Sequence, residues 1–109
     1  PTPSEKRART ELISRVRHIA LREWPDCNVE VFGSFSTQTY LPSSDIDLVI
    51  FGEWPSPPLK FLERELVNSR LAREDEIKVL DRNHVPLIRF TDITTKIRVD
   101  VSFNMTTGP

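Results

Sequence analysis

The chain holds a single cysteine, Cys27, among its 109 residues. That excludes an internal disulfide and a cysteine-rich zinc site, and it suits a reducing compartment. No run of about eighteen apolar residues and no signal-peptide pattern is present, so nothing in the sequence is read as spanning a membrane or directing secretion. The expectation is a soluble, intracellular chain. Charge of one sign is also lacking: charged residues make up 28% of the sequence, yet the net charge is −1. Without a strong global field, any affinity for nucleic acid must come from a local patch. Internal repeats and low-complexity tracts are absent. A chain of this length can bury one small core under one sheet.

Apolar periodicity organises what is there. Ala8, Leu12, Ile13, Val16 and Ile19 or Ala20 recur at helical spacing, which predicts an amphipathic helix over residues 5–23 with Ser4 as its N-cap. Lys6, Arg7 and Arg9 read as the solvated face of that helix. Residues 29–32 read as a short strand ending at Gly33-Ser34, followed by a helical turn over 35–38 and a turn over 41–44. Residues 45–51 form the next predicted strand. Pro57 at a first helical position, with Leu59, Leu62 and Leu66 behind it, predicts a second helix. Three more strands are expected over 77–80, 85–90 and 97–103, with turns at 81–84 and 91–96. The order predicts an α+β fold, a mixed sheet of about five strands with helices on one face and the other face open.

Three aspartates stand out inside these β-prone runs: Asp45 and Asp47 in Asp45-Ile46-Asp47-Leu48, and Asp100 in Val99-Asp100-Val101. Aspartate is depleted in strands, so turn chemistry is a poor explanation for all three together. Side chains alternate along a strand, which puts Asp45 and Asp47 on one face and Ile46, Leu48 and Ile50 on the other. Arg98, Asp100 and Ser102 likewise share a face. If the two strands are neighbours, three carboxylates converge, an arrangement that like-charge repulsion disfavours without a cation. A divalent metal site is the expected consequence.

Upstream, Gly33 lets the backbone turn tightly, a following helix start presents free amides to an anion, and Ser34 adds a hydroxyl. Magnesium is commonly held by one or two carboxylates together with substrate phosphates. Two metals about 4 Å apart can clamp the attacking and leaving oxygens of an in-line displacement. In that scheme Asp45 and Asp47 hold the metals, and Asp100 completes the site close to the attacking hydroxyl, where it could help remove the proton.

Phe32-Gly33-Ser34, ten intervening residues and Asp45-Ile46-Asp47-Leu48 resemble the signature of the DNA polymerase beta-like nucleotidyltransferase superfamily. Val31-Phe32-Gly33-Ser34-Phe35, Leu41-Pro42-Ser43-Ser44, Ile77-Lys78-Val79-Leu80, Val85-Pro86-Leu87-Ile88 and Val99-Asp100-Val101-Ser102-Phe103-Asn104 narrow the resemblance to the DNA polymerase sigma group of poly(A) polymerases. It runs through nearly the whole chain. The resemblance implies a polymerase beta-like palm that transfers AMP from ATP to an RNA 3′ end. It implies Asp45, Asp47 and Asp100 as the ligands of two Mg2+ or Mn2+ ions, with Gly33 and Ser34 near the triphosphate. Residues 28–107 would be the catalytic palm, and the helix over 4–24 would help build a helical central lobe. The base-reading part of that lobe is expected beyond these 109 residues. The family also implies RNA-binding adaptor proteins and an intracellular location, nuclear or cytoplasmic, with the nucleus slightly favoured.

Arg89 stands where the family tends to carry a basic residue after Val85-Pro86, which makes it a candidate RNA or phosphate contact beside the alternative of an ion pair. Lys78 has the same two readings. His18 and His84 lack partners at metal spacing and read as structural or solvated. Cys27 reads as a small packed residue. Two rival functions stay open at this stage. The same chemistry could act on a protein, a small molecule or in RNA uridylation, or the chain could serve as a binding or scaffolding module.

Overall fold

The computed structural model describes residues 3–32 and 45–105. Gly33, Ser34, the expected helical turn over 35–38 and the turn over 41–44 lie outside the described residues.

Helix α1 (Pro3–Glu23) leads into strand β1 (Asn28–Phe32). After the undescribed stretch come β2 (Ile46–Gly52), helix α2 (Leu59–Asn68), a 3-10 turn (Glu74–Glu76), and β3 (Lys78–Arg82), β4 (Val85–Thr91) and β5 (Arg98–Met105). The strands form one sheet in the order β1-β2-β5-β4-β3. Every neighbouring pair is antiparallel except β2 and β5, which run parallel. The expected mixed five-strand α+β sheet is therefore observed.

Alternation explains which face carries the core. Ile46, Leu48 and Ile50 of β2, Val99, Val101 and Phe103 of β5, and Ile88 and Phe90 of β4 are buried in one cluster with Leu12, Ile13, Val16 and Ile19 of α1 and Leu62 and Leu66 of α2. Both helices thus cover the same side of the sheet. Trp24, just past α1, stands edge-on to Trp54 at 5.4 Å and to Phe103 at 5.8 Å, which joins the end of the helix to β5 and the loop after β2. Cys27 is buried beside it with no disulfide, and burial pushes its thiol pKa up, as a packed residue requires.

Four local expectations are corrected. Ser4 lies inside α1 rather than before it, because Pro3, with its fixed φ, already takes a first-turn position. Arg9 is buried at 1% exposure, within the apolar stripe and not on the solvated face with Lys6 and Arg7. Helix α2 starts at Leu59, not Pro57, because the ring of Pro58 pushes the residue before it out of helical geometry. The turn expected over 81–84 shrinks to Asn83 and His84, both with positive φ, so Asp81 and Arg82 belong to β3. That last change alters the site.

Candidate active site

The aspartate-bearing strands β2 and β5 are neighbours. Asp47 of β2 is the register partner of Asp100 of β5. In a parallel pair such partners project from the same face, here the face without helices. The row extends across the whole sheet: Phe32 pairs with Asp47, Asp47 with Asp100, Asp100 with Arg89, and Arg89 with Lys78. Asp45 lies one residue before β2, and Arg98 begins β5 at the same level, since the next residues, Ile46 and Val99, are partners.

Each carboxylate is met by a guanidinium. Arg98 Nε donates to Asp45 Oδ2 at 3.0 Å. Arg89 grips Asp100 with two donors, Nε to Oδ1 at 2.8 Å and NH2 to Oδ2 at 3.1 Å. Arg82 reaches both acids of the central row, with NH2 donating to Asp100 Oδ2 at 2.5 Å and NH1 to Asp47 Oδ1 at 3.5 Å. The side chain of Asp100 is 4% exposed, that of Asp47 38% and that of Arg82 50%, so a buried acid lies at the base and an accessible one at the rim. Phe32, Leu87 and Ser102 complete a hollow of about 170 Å³ with these residues.

The electrostatics follow from those contacts. Burial alone would raise the pKa of Asp100, but hydrogen bonds and charges from Arg89 and Arg82 outweigh it and hold the carboxyl below its usual range. Reciprocally, the hydrogen bond to Asp100 raises the pKa of Arg89 despite its partial burial. Asp100 is therefore ionised wherever the protein is folded near neutrality.

Among the described residues no three acidic, histidine or cysteine side chains close on a common point as a ready metal cage. The donors nevertheless fit a hard divalent cation. Asp47 and Asp100 offer only oxygen ligands from adjacent positions, and the guanidinium of Arg82 already stands between them as a cation.

Sequence reasoning paired Asp47 with Asp100 correctly, but the three carboxylates do not close on one point, and Asp45 is ion-paired to Arg98. It offered Arg89 as a phosphate contact or an ion-paired residue; here the side chain is ion-paired to Asp100. It missed Arg82, which was assigned to a turn. The alternation that put Arg98 on the face of Asp100 was the signal for the Arg98 contact.

A helix-backed mixed sheet with paired acids on its open face defines a polymerase beta-like nucleotidyltransferase palm. Residues 1–108 match the family described as the central palm domain of mitochondrial-like poly(A) RNA polymerase. The chain is 41% identical over 113 residues to the fission yeast (Schizosaccharomyces pombe) poly(A) RNA polymerase cid14, covering 99% of this chain and 16% of that protein. It is 41% identical over 104 residues to the Drosophila melanogaster "inactive non-canonical poly(A) RNA polymerase protein Trf4-2", covering 94% of this chain and 26% of that one. A solved structure of the polymerase core of TRAMP, described as an RNA surveillance complex, superposes with a TM-score of 0.83 at 36% identity over 100% of this chain and 34% of its own. The chain belongs to this poly(A) RNA polymerase palm family. It spans about a quarter or less of the two curated relatives named.

Proposed function

We propose that the complete protein is a template-independent RNA nucleotidyltransferase that adds AMP from ATP to RNA 3′ ends, and that this chain is its catalytic palm. The observation that carries the reading is the Asp47–Asp100 register pair on the open face, with Asp45 two residues from Asp47. Family membership supports it, and so do relatives named poly(A) RNA polymerases.

Asp45, Asp47 and Asp100 would hold two Mg2+ or Mn2+ ions, which when bound neutralise charge on the triphosphate and the reacting oxygens. The rest falls to the chain itself. The sheet fixes Asp47 and Asp100 at one level, so the reacting groups need no search for their ligands. Arg89 holds Asp100 by a two-point contact and sets its carboxylate plane. A carboxylate with a lowered pKa takes up a proton poorly, which supports Asp100 as an orienting ligand more than as a proton store. Gly33 and Ser34 follow directly on Phe32, the register partner of Asp47, which supports their assignment to the triphosphate. In the reaction the RNA 3′ oxygen bonds to the α-phosphorus of ATP, the bond to the β-phosphate bridging oxygen breaks, pyrophosphate leaves, and the hydroxyl proton passes to solvent.

An RNA-binding adaptor is proposed as partner, supported by the 36% identity to a polymerase core that belongs to an RNA surveillance complex. The deciding experiment extends a labelled RNA primer with ATP, and separately with UTP, using the complete protein and its Asp47→Asn variant. Adenylation lost by about a hundredfold or more in the variant is expected. Normal extension by Asp47→Asn would overturn the assignment, and preference for UTP would redirect it to uridylation.

A further inference from the structure

Of the three arginines in the site, Arg82 alone among the described residues contacts two of the acids, Asp47 and Asp100. Its route to them is unusual. Arg82 is level with Val85 on β4, whereas Asp100 is level with Arg89, four residues further along that strand. At about 3.3 Å per residue that offset is about 13 Å, more than the side chain can span along a flat sheet. The register also shows what permits the contact. β5 pairs with β4 over Leu87 to Thr91, so among the described residues the end of the hairpin carrying Asp81, Arg82, Val85 and Pro86 pairs only with itself. From that end the guanidinium still reaches both Asp47 and Asp100, so the sheet is not flat there.

We propose that Arg82 is a surrogate cation, a positioning residue that bridges Asp47 and Asp100 before divalent metal binds and must leave them when it does. The inference rests on the metal-binding reading of this site. Three facts support exchange in place of a permanent contact. Arg82 is half exposed and enters from a strand end that, among the described residues, pairs only with its own hairpin partner. Its contact to Asp47 is long, at 3.5 Å, while Arg89 keeps a two-point hold on Asp100 without it. The position it fills lies between two carboxylates that would bind metal, and two cations cannot share it without strong repulsion. Arg82 thus offsets the repulsion between neighbouring acids in the metal-free protein and competes with the ion that replaces it.

The test uses the complete protein without nucleotide and reads magnesium binding by calorimetry and thermal unfolding with and without magnesium. Arg82→Ala is compared with Lys78→Ala, which removes one positive charge from the Asp47–Asp100 row but no bridging contact. Magnesium binding about two- to tenfold tighter in Arg82→Ala than in Lys78→Ala is expected. A melting temperature below wild type without metal, and equal to it at saturating magnesium, is the second expectation. Equal affinities in the two variants, or a melting deficit that persists at saturation, would overturn the proposal. If Arg82→Ala does not fold, Arg82→Gln keeps the chain length and polarity and is read by the same criteria. Asp47→Asn separates the two failures. Wild-type binding that Asp47→Asn abolishes, with no effect of Arg82, overturns the surrogate role alone, whereas no binding by wild type overturns the metal reading as well.

Discussion

Asp47 and Asp100 stand side by side on parallel strands, one 38% exposed and the other 4% exposed in its side chain. This asymmetry separates two roles that their shared chemistry would blur. Asp47 lies at the rim, where substitution removes a ligand and little packing. Asp100 lies at the base, where it is also the anchor for Arg89 and Arg82.

The asymmetry predicts different costs for the same change. Asp47→Asn should shift stability by no more than about 0.5 kcal/mol. Asp100→Asn should cost about 1–3 kcal/mol, because the guanidinium of Arg89 loses a charged two-point partner in a buried position. Urea unfolding of both variants checks this, and equal midpoints would contradict it.

Much of this site is legible in the residues, and the rest is hidden for identifiable reasons. The facing of Asp45, Asp47 and Asp100 follows from a period of two, which needs no tertiary knowledge. The union of β2 and β5 needs the fold, since Asp47 and Asp100 lie 53 positions apart and only the sheet order makes them partners. Arg82 is hidden by a boundary of two residues: once Asn83 and His84 alone make the turn, Arg82 becomes a strand residue with a fixed direction. Arg9 is hidden by its chemistry, because a charged residue in a helical stripe reads as solvated when neighbours in sequence are charged, and only packing reveals its burial.

The lowered pKa of Asp100 has a pH signature with a definite sign. A carboxyl depressed in the folded state stabilises the protein above its unfolded pKa, near the ordinary 3.8, and that contribution is lost as pH falls through the folded value. Arg89→Ala removes the largest lowering influence and leaves burial, which acts upward, opposed by Arg82. Arg89→Ala should therefore be less stable than wild type near neutral pH, by a margin that closes as pH falls through the folded pKa of Asp100. Urea unfolding of both proteins at a series of pH values from 6 downward reads the margin, and one that stays constant with pH would refute the coupling.

Gly52 ends β2 under the ring of Trp54, where an added Cβ would lie 2.5 Å from the nearest ring carbon. The ring is held by Trp24 and Phe103, at 5.4 and 5.2 Å, so it cannot step aside without disturbing both. Gly52→Ala should destabilise by about 1–3 kcal/mol and alter tryptophan fluorescence in the folded state. Unchanged emission with full stability would show that the aromatic layer is looser than its geometry implies.

The hairpin that delivers Arg82 turns on Asn83 and His84, with φ values of 52° and 67°. Two consecutive positive values fit the hairpin turn whose twist matches the flanking strands, and its preferred pair is asparagine followed by glycine. Asn83 meets that preference, whereas His84 holds a left-handed conformation with a bulky side chain. His84→Gly should therefore relieve strain and stabilise the hairpin by about 0.5–1 kcal/mol. His84→Val should do the reverse, since a branched Cβ is least tolerant there. Hydrogen exchange at the amides of residues 80–85 and 87 distinguishes these effects from a global change, because protection should rise in the glycine variant and fall in the valine variant at this hairpin first. If both variants altered exchange uniformly across the sheet, the end carrying Arg82 would not be the separate, self-paired unit that its register describes.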